Sequence, residues 1–171
     1  MRERALRKQC EQTLRALDLR PPLRVAALCE RLGAARGRPI RLVSYPLPVP
    51  GPTGLWIAAP TADYLLYQQH TSVVHQDHIV LHEVGHIIAE HAIVELDEAS
   101  WSALDPDTLR TAIRHALRRT CYDTEREREA ELIATILLER AAMLDAITPP
   151  DEPDPAVRRL QVALGERPGW R

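Results

Sequence analysis

The sequence predicts an α+β domain, mainly helical, with a small antiparallel sheet beside one buried helix. Three observations carry that prediction. Apolar residues recur at three- and four-residue spacing near both ends of the chain, as on amphipathic helices. Three short β-like runs, 40–45, 55–59 and 64–68, lie together between them, separated by Pro- and Gly-rich stretches. The stretch 78–91, HIVLHEVGHIIAEH, is apolar around almost the whole of a helix except at its histidines and glutamates, which places it in the middle of the domain.

With 171 residues, 45% of them hydrophobic, the chain is long enough for one domain with a core and too short for two large ones. That domain is expected over 1–148, with a Pro-rich acidic linker and tail over 149–171. A net charge of −2 supplies no general electrostatic attraction to nucleic acid or an acidic membrane. Cys10, Cys29 and Cys121 are odd in number and widely spaced, so small buried residues are expected rather than a disulfide framework or a Cys-ligated metal. No apolar run approaches the roughly 18 residues of a spanning helix, and the chain opens with Arg-Glu-Arg rather than a signal peptide, so a cytoplasmic protein is expected.

Two N-terminal helices are expected across 2–33. The first carries Leu6, Cys10, Leu14 and Leu17 on one face, and the second, after Pro21-Pro22, carries Val25, Leu28, Cys29 and Leu32 and is closed by Gly33. The sheet follows over 40–68, with Tyr64–Gln68 as the expected edge strand, available to pair with an extended peptide. The buried helix is expected over 76–92. Asp105 then has the character of an N-cap with Pro106 at the first helical position, which predicts an inserted helix over 106–119 bearing Arg110, Arg114, Arg118 and Arg119 as a solvated stripe. Thr124 and Glu127 have capping-box spacing and begin a last helix over 124–143.

The chemistry is concentrated in His82-Glu83-Val84-Gly85-His86, an HExxH sequence. On a helix this spacing stacks two imidazoles one turn apart on one face with a carboxylate beside them. Buried histidines need partners, and a divalent metal such as zinc would use both as ligands, with Glu83 as general base toward a water. Gly85 costs about 1 kcal/mol against alanine in mid-helix. Close approach of a second helix is the expected return.

A third ligand is sought among Glu125, Glu127, Glu129 and Glu131. The direction set by Ile133, Ile136, Leu137 and Leu144 lies roughly 45° from Glu129, about 85° from Glu125, about 115° from Glu127 and about 155° from Glu131 on a helical wheel. Glu129 is thereby the carboxylate aimed at the core, where a cation would offset its burial, and the metal set is expected to be His82, His86 and Glu129. His78 suits the helix entrance. His91 falls off the ligand face and lacks the glycine turn that brings a third histidine to some zinc sites. Tyr64, Tyr67 and Tyr122 are equal candidates to stabilise an oxyanion.

With HEVGH and the downstream Glu127-Arg-Glu129-Ala130 run both placed, the chain resembles the ImmA/IrrE family of zinc-dependent metallopeptidases from about Arg20 to Leu138. The resemblance implies a zincin-like fold, zinc held by His82, His86 and Glu129, and Glu83 as base. It departs after Glu129: Glu131, Ile133 and Leu137-Leu138-Glu139-Arg140 stand where the family usually has Asn or Asp, an aromatic and Leu-Leu-Met-Pro. The resemblance also implies a protein substrate, a helix-turn-helix transcriptional repressor or antitoxin-like regulator encoded nearby. The alternative expectation is a non-catalytic, metal-containing binding module that regulates a transcription factor by contact alone.

Overall fold

Period-two alternation in two adjoining strands builds the centre of the molecule. The computed structural model describes residues 3–19, 23–91, 94–95 and 124–147. Strand β2 (Gly54–Ala58) turns through a short connection into β3 (Asp63–Gln68), and the two pair antiparallel with Trp56 opposite Leu65. Trp56, Leu65 and Tyr67 face the main core, whereas Leu55, Ile57, Tyr64 and Leu66 face the opposite side. That second side is closed by Leu47, which follows β1 (Ile40–Tyr45). β2 and β3 are consequently buried on both faces.

The sheet is mixed, and this corrects the expectation of an antiparallel one. Its order is β1-β3-β2-β4, with β1 parallel to β3 and the two-residue β4 (Val94–Glu95) parallel to β2 at Ile57 and Ala58. The chain between β1 and β2 is long enough to cross the end of β3, so β1 docks beyond it. Tyr64–Gln68 is therefore a central strand, not the edge. On the side away from β3, β2 is paired only at Ile57 and Ala58 among the described residues.

Helix α1 (Glu3–Ala16) buries Leu6 and Cys10, and α2 (Val25–Ala35) buries Leu28, Cys29 and Leu32. Both cysteines are free, as expected of small core residues, and burial pushes the Cys10 thiol up to about 11 and the Cys29 thiol up to about 12. The link from α2 to β1 is fastened to the sheet by buried Asp63, whose carboxylate lies 2.6 Å from Arg36 Nη1 and 2.8 Å from Arg38 Nε.

Helix α3 (Val73–Ile88) begins where Ser72 caps it, its side chain accepting from the His75 N–H at 3.3 Å. It ends earlier than the predicted residue 92 because Glu90 adopts a left-handed conformation (φ 54°). The Glu90 N–H then bonds to the Ile87 carbonyl at 3.2 Å and the His91 N–H to the His86 carbonyl at 3.0 Å, the paired bonds of a Schellman turn. Helix α4 (Thr124–Ile147) packs along α3 and also meets α1, where Arg7 and Arg140 reach Glu139 and Glu11 respectively.

Helices α3 and α4 come into backbone contact at Gly85, where a Cβ would lie 2.6 Å from the Ala130 carbonyl oxygen. The mid-helix glycine thus has the return expected of it. Among the described residues no helix is long and apolar enough to cross a membrane. The predicted helix over 106–119 with its arginine stripe, Cys121, Tyr122 and the tail over 149–171 lie outside the described residues.

Candidate metal centre

One turn of α3 separates His82 from His86, and their Nε2 atoms stand 3.1 Å apart. His86 is fully buried and His82 partly so. From α4, Glu127 brings Oε2 to 3.2 Å from His82 Nε2 and Oε1 to 3.5 Å from His86 Nε2. One donor atom from each of the three side chains lies within 4.8 Å of the others, so the group could hold a metal ion. The spacing fits: tetrahedral ligands at the bond lengths of zinc stand about 3.3 Å from one another. Two neutral imidazoles and one carboxylate are also a donor set that zinc accepts.

Glu129, the carboxylate favoured from sequence, is not in this group. It points to the other side of α3, with Oε2 at 3.1 Å from His91 Nε2. The physical reason is the contact face of α4. The fully buried residues are Ala130, Ile133, Ala134 and Leu137, and a direction that includes the two alanines lies about 70° from Glu127 and about 90° from Glu129, on opposite flanks. Small residues set the crossing, and a direction drawn from large residues alone is turned away from Glu127.

Glu83 lies in the same cleft as the group. The cleft measures about 420 Å³ and is walled by Thr53, Gly54 and Leu55 from β2 and its approach, by His75, His78, His82 and Glu83 from α3, and by Glu127 and Glu131 from α4. Glu83 is buried and folds over the start of β2, where it and Ile79 occupy the space a side chain at residue 54 would need. Burial, reinforced by the charge of Glu127 and opposed by a hydrogen bond from the Trp56 backbone, raises the Glu83 carboxyl from 4.5 to about 8. A nearby cation would favour its charged form again.

His86 is shifted in the opposite sense, from 6.5 to about 3, by burial first and then by the neighbouring His82 and His91. It is neutral at pH 7, the state a metal ligand requires. Both histidines also make contacts through their second nitrogens. His82 Nδ1 is 3.2 Å from Glu131 Oε2, whose Oε1 is 3.2 Å from His78 Nε2. His86 Nδ1 is 2.9 Å from His91 Nδ1. Sequence reasoning missed this place for His91 because Glu90, not glycine, makes the turn that folds it back under His86.

Neither Tyr64 nor Tyr67 lines the cleft. A separate hollow of about 510 Å³ lies beyond His91 and includes Arg36, Arg38, Trp56 and Asp63 in its wall. Both of its arginines are already held by Asp63, whereas Glu83 and two members of the metal group, His82 and Glu127, line the smaller cleft. No protein-family model, curated protein or solved structure matches the chain.

Proposed function

We propose that this chain is a zinc-dependent metallopeptidase that hydrolyses a peptide bond in a protein substrate. The observation that supports it best is the convergence of His82, His86 and Glu127, of which His82 and Glu127 share one cleft with the buried carboxylate of Glu83. A zinc ion held by the first three would supply a Lewis acid for the scissile carbonyl and acidify a neighbouring water. Glu83 accepts the proton of the attacking water and delivers it to the leaving amine. Burial raises the Glu83 pKa and a bound cation would lower it again, opposed influences on a group that must both take up and release a proton.

Among the described residues no strand pairs with 54–56 on the side of β2 away from β3, where the Trp56 backbone is engaged by Glu83, and this supports a reading in which the substrate backbone adds along the cleft beside Gly54 and Leu55. A helix-turn-helix repressor or antitoxin-like regulator is the substrate class that the ImmA/IrrE resemblance implies.

The test is elemental analysis of the purified chain, paired with a cleavage assay on any helix-turn-helix protein encoded beside it. One zinc per chain with cleavage in the wild type, and zinc without cleavage in Glu83→Gln, is the expected result. Cleavage unchanged in Glu83→Gln overturns the mechanism. Zinc retained with regulator binding but no cleavage by the wild type would favour the non-catalytic module.

A further inference from the structure

Building on the metal-centre reading above, we infer that His91 and Glu129 are a positioning pair for His86, and that Glu131 holds His82 in the same way but more weakly. A histidine that gives Nε2 to a metal keeps its proton on Nδ1, and that proton needs an acceptor. Each histidine of the group has one. His82 Nδ1–H is directed at Glu131 Oε2 across 3.2 Å, and Glu131 is itself steadied by His78 Nε2 at 3.2 Å.

The arm behind His86 has one more link. With Nε2 committed, His86 donates from Nδ1 to His91 Nδ1 at 2.9 Å. His91 must then carry its own proton on Nε2, from which it donates to Glu129 Oε2 at 3.1 Å. One assignment of protons satisfies the whole series, and the carboxylate at its end fixes the direction. The backbone supports the same alignment, because the Schellman turn ties the His91 N–H to the carbonyl of His86.

The two arms differ in burial. The His91 and Glu129 side chains are 5% and 13% exposed, whereas Glu131 is 52% exposed. Hydrogen bonds shielded from water hold a ring more firmly than bonds that water can replace. Glu129 thus acts on the metal through two imidazoles rather than by touching it.

Zinc affinity, measured on the full chain by competition with a chromophoric chelator, distinguishes these roles. His91→Leu and Glu129→Ala should keep one zinc per chain but bind it roughly 10- to 100-fold more weakly, the usual loss for partners one layer out. His91→Gln, whose amide oxygen can accept from His86 Nδ1–H, should recover most of that loss, which a merely space-filling role for His91 would not produce. Glu131→Ala should lose less than Glu129→Ala.

In zinc-loaded, ¹⁵N-histidine-labelled protein, the isosteric Glu129→Gln should shift the His91 and His86 ring resonances and leave those of His82 in place. That variant carries the test if His91→Leu fails to fold. Zinc binding by Glu129→Ala and His91→Leu within about threefold of wild type, well short of the usual loss, overturns the proposal. So does complete loss of zinc in Glu129→Ala with retention in Glu127→Ala, which would make Glu129 a ligand. A wild-type chain that takes up no zinc would instead overturn the metal-centre reading on which the pair depends.

Discussion

Gly85 and Ala130 meet backbone to backbone: a Cβ on the glycine would stand 2.6 Å from the alanine carbonyl oxygen and 2.9 Å from its Cα. The residue after Gly85 is His86, and Glu127 lies one turn before Ala130. This crossing therefore sets the separation of two of the three donor side chains.

Gly85→Ala should force the helices apart, because neither obstacle is the movable end of a side chain. Overpacking of this kind costs about 1–3 kcal/mol. Zinc affinity should fall as well, since Glu127 withdraws from both histidines. Denaturant melts and chelator competition on one preparation check the pair of effects; lost stability with unchanged affinity would show that the crossing does not govern the donor spacing.

Gly54→Ala should separate catalysis from metal binding. A methyl group there collides first with Glu83 and Ile79, whose atoms are its three nearest neighbours. Zinc content should stay at the wild-type level while hydrolysis falls on the order of 10²- to 10⁴-fold, the range for a displaced general base. Equal turnover in the two proteins would remove Glu83 from that role.

The metal-free chain should be most stable between about pH 4.5 and 6.5. Glu83 is raised on folding, from 4.5 to about 8, so its contribution is complete below 4.5 and is lost as pH rises through 8. His86 is depressed, from 6.5 to about 3, so its contribution is complete above 6.5 and is lost as pH falls through 3. Between 4.5 and 6.5 the two slopes oppose each other. From 6.5 to 8 Glu83 alone of the two acts, with a slope of at most about 1.4 kcal/mol per pH unit. Glu83→Gln should flatten that upper limb in melts of chelator-treated protein, and an unaltered limb would contradict the assignment.

Glu90→Gly should stabilise the chain. A non-glycine residue in the left-handed region costs roughly 1–2 kcal/mol, and glycine avoids that cost without altering the turn. A rise in melting temperature, with His91 still coupled to His86 in nitrogen-15 spectra, is the expected outcome. A fall would mean that the Glu90 side chain contributes more than its backbone strain removes.

The placing of His82, Glu83 and His86 together on one buried helix was legible in sequence because a helix period alone sets it. That Glu127 rather than Glu129 lies beside the two histidines was not. Ala130 and Ala134 contribute little to a hydrophobic direction, yet their small size is what lets α4 lie against Gly85, so the large residues pointed to Glu129. The three principal strands were legible from β-rich runs between Pro/Gly breaks. Their order was not, because the chain around Leu47 can cross β3 as readily as it can turn back beside β1. His91 was hidden by a turn that its sequence disguises, with glutamate where glycine is the usual signal.

The pairing of α3 with α4 joins positions far apart in the chain; His91 meets Glu129 across 38 residues. A doubling of the length that links two such elements adds only about 0.6 kcal/mol to the entropy of closing the loop. The spacing of His82, His86 and Glu127 is stored in a crossing of two glycine- and alanine-bearing helices, and by chain entropy alone a change in the length of the connection would alter its closure little. An insertion between the helices would therefore leave the three side chains and Glu83 where the helices put them.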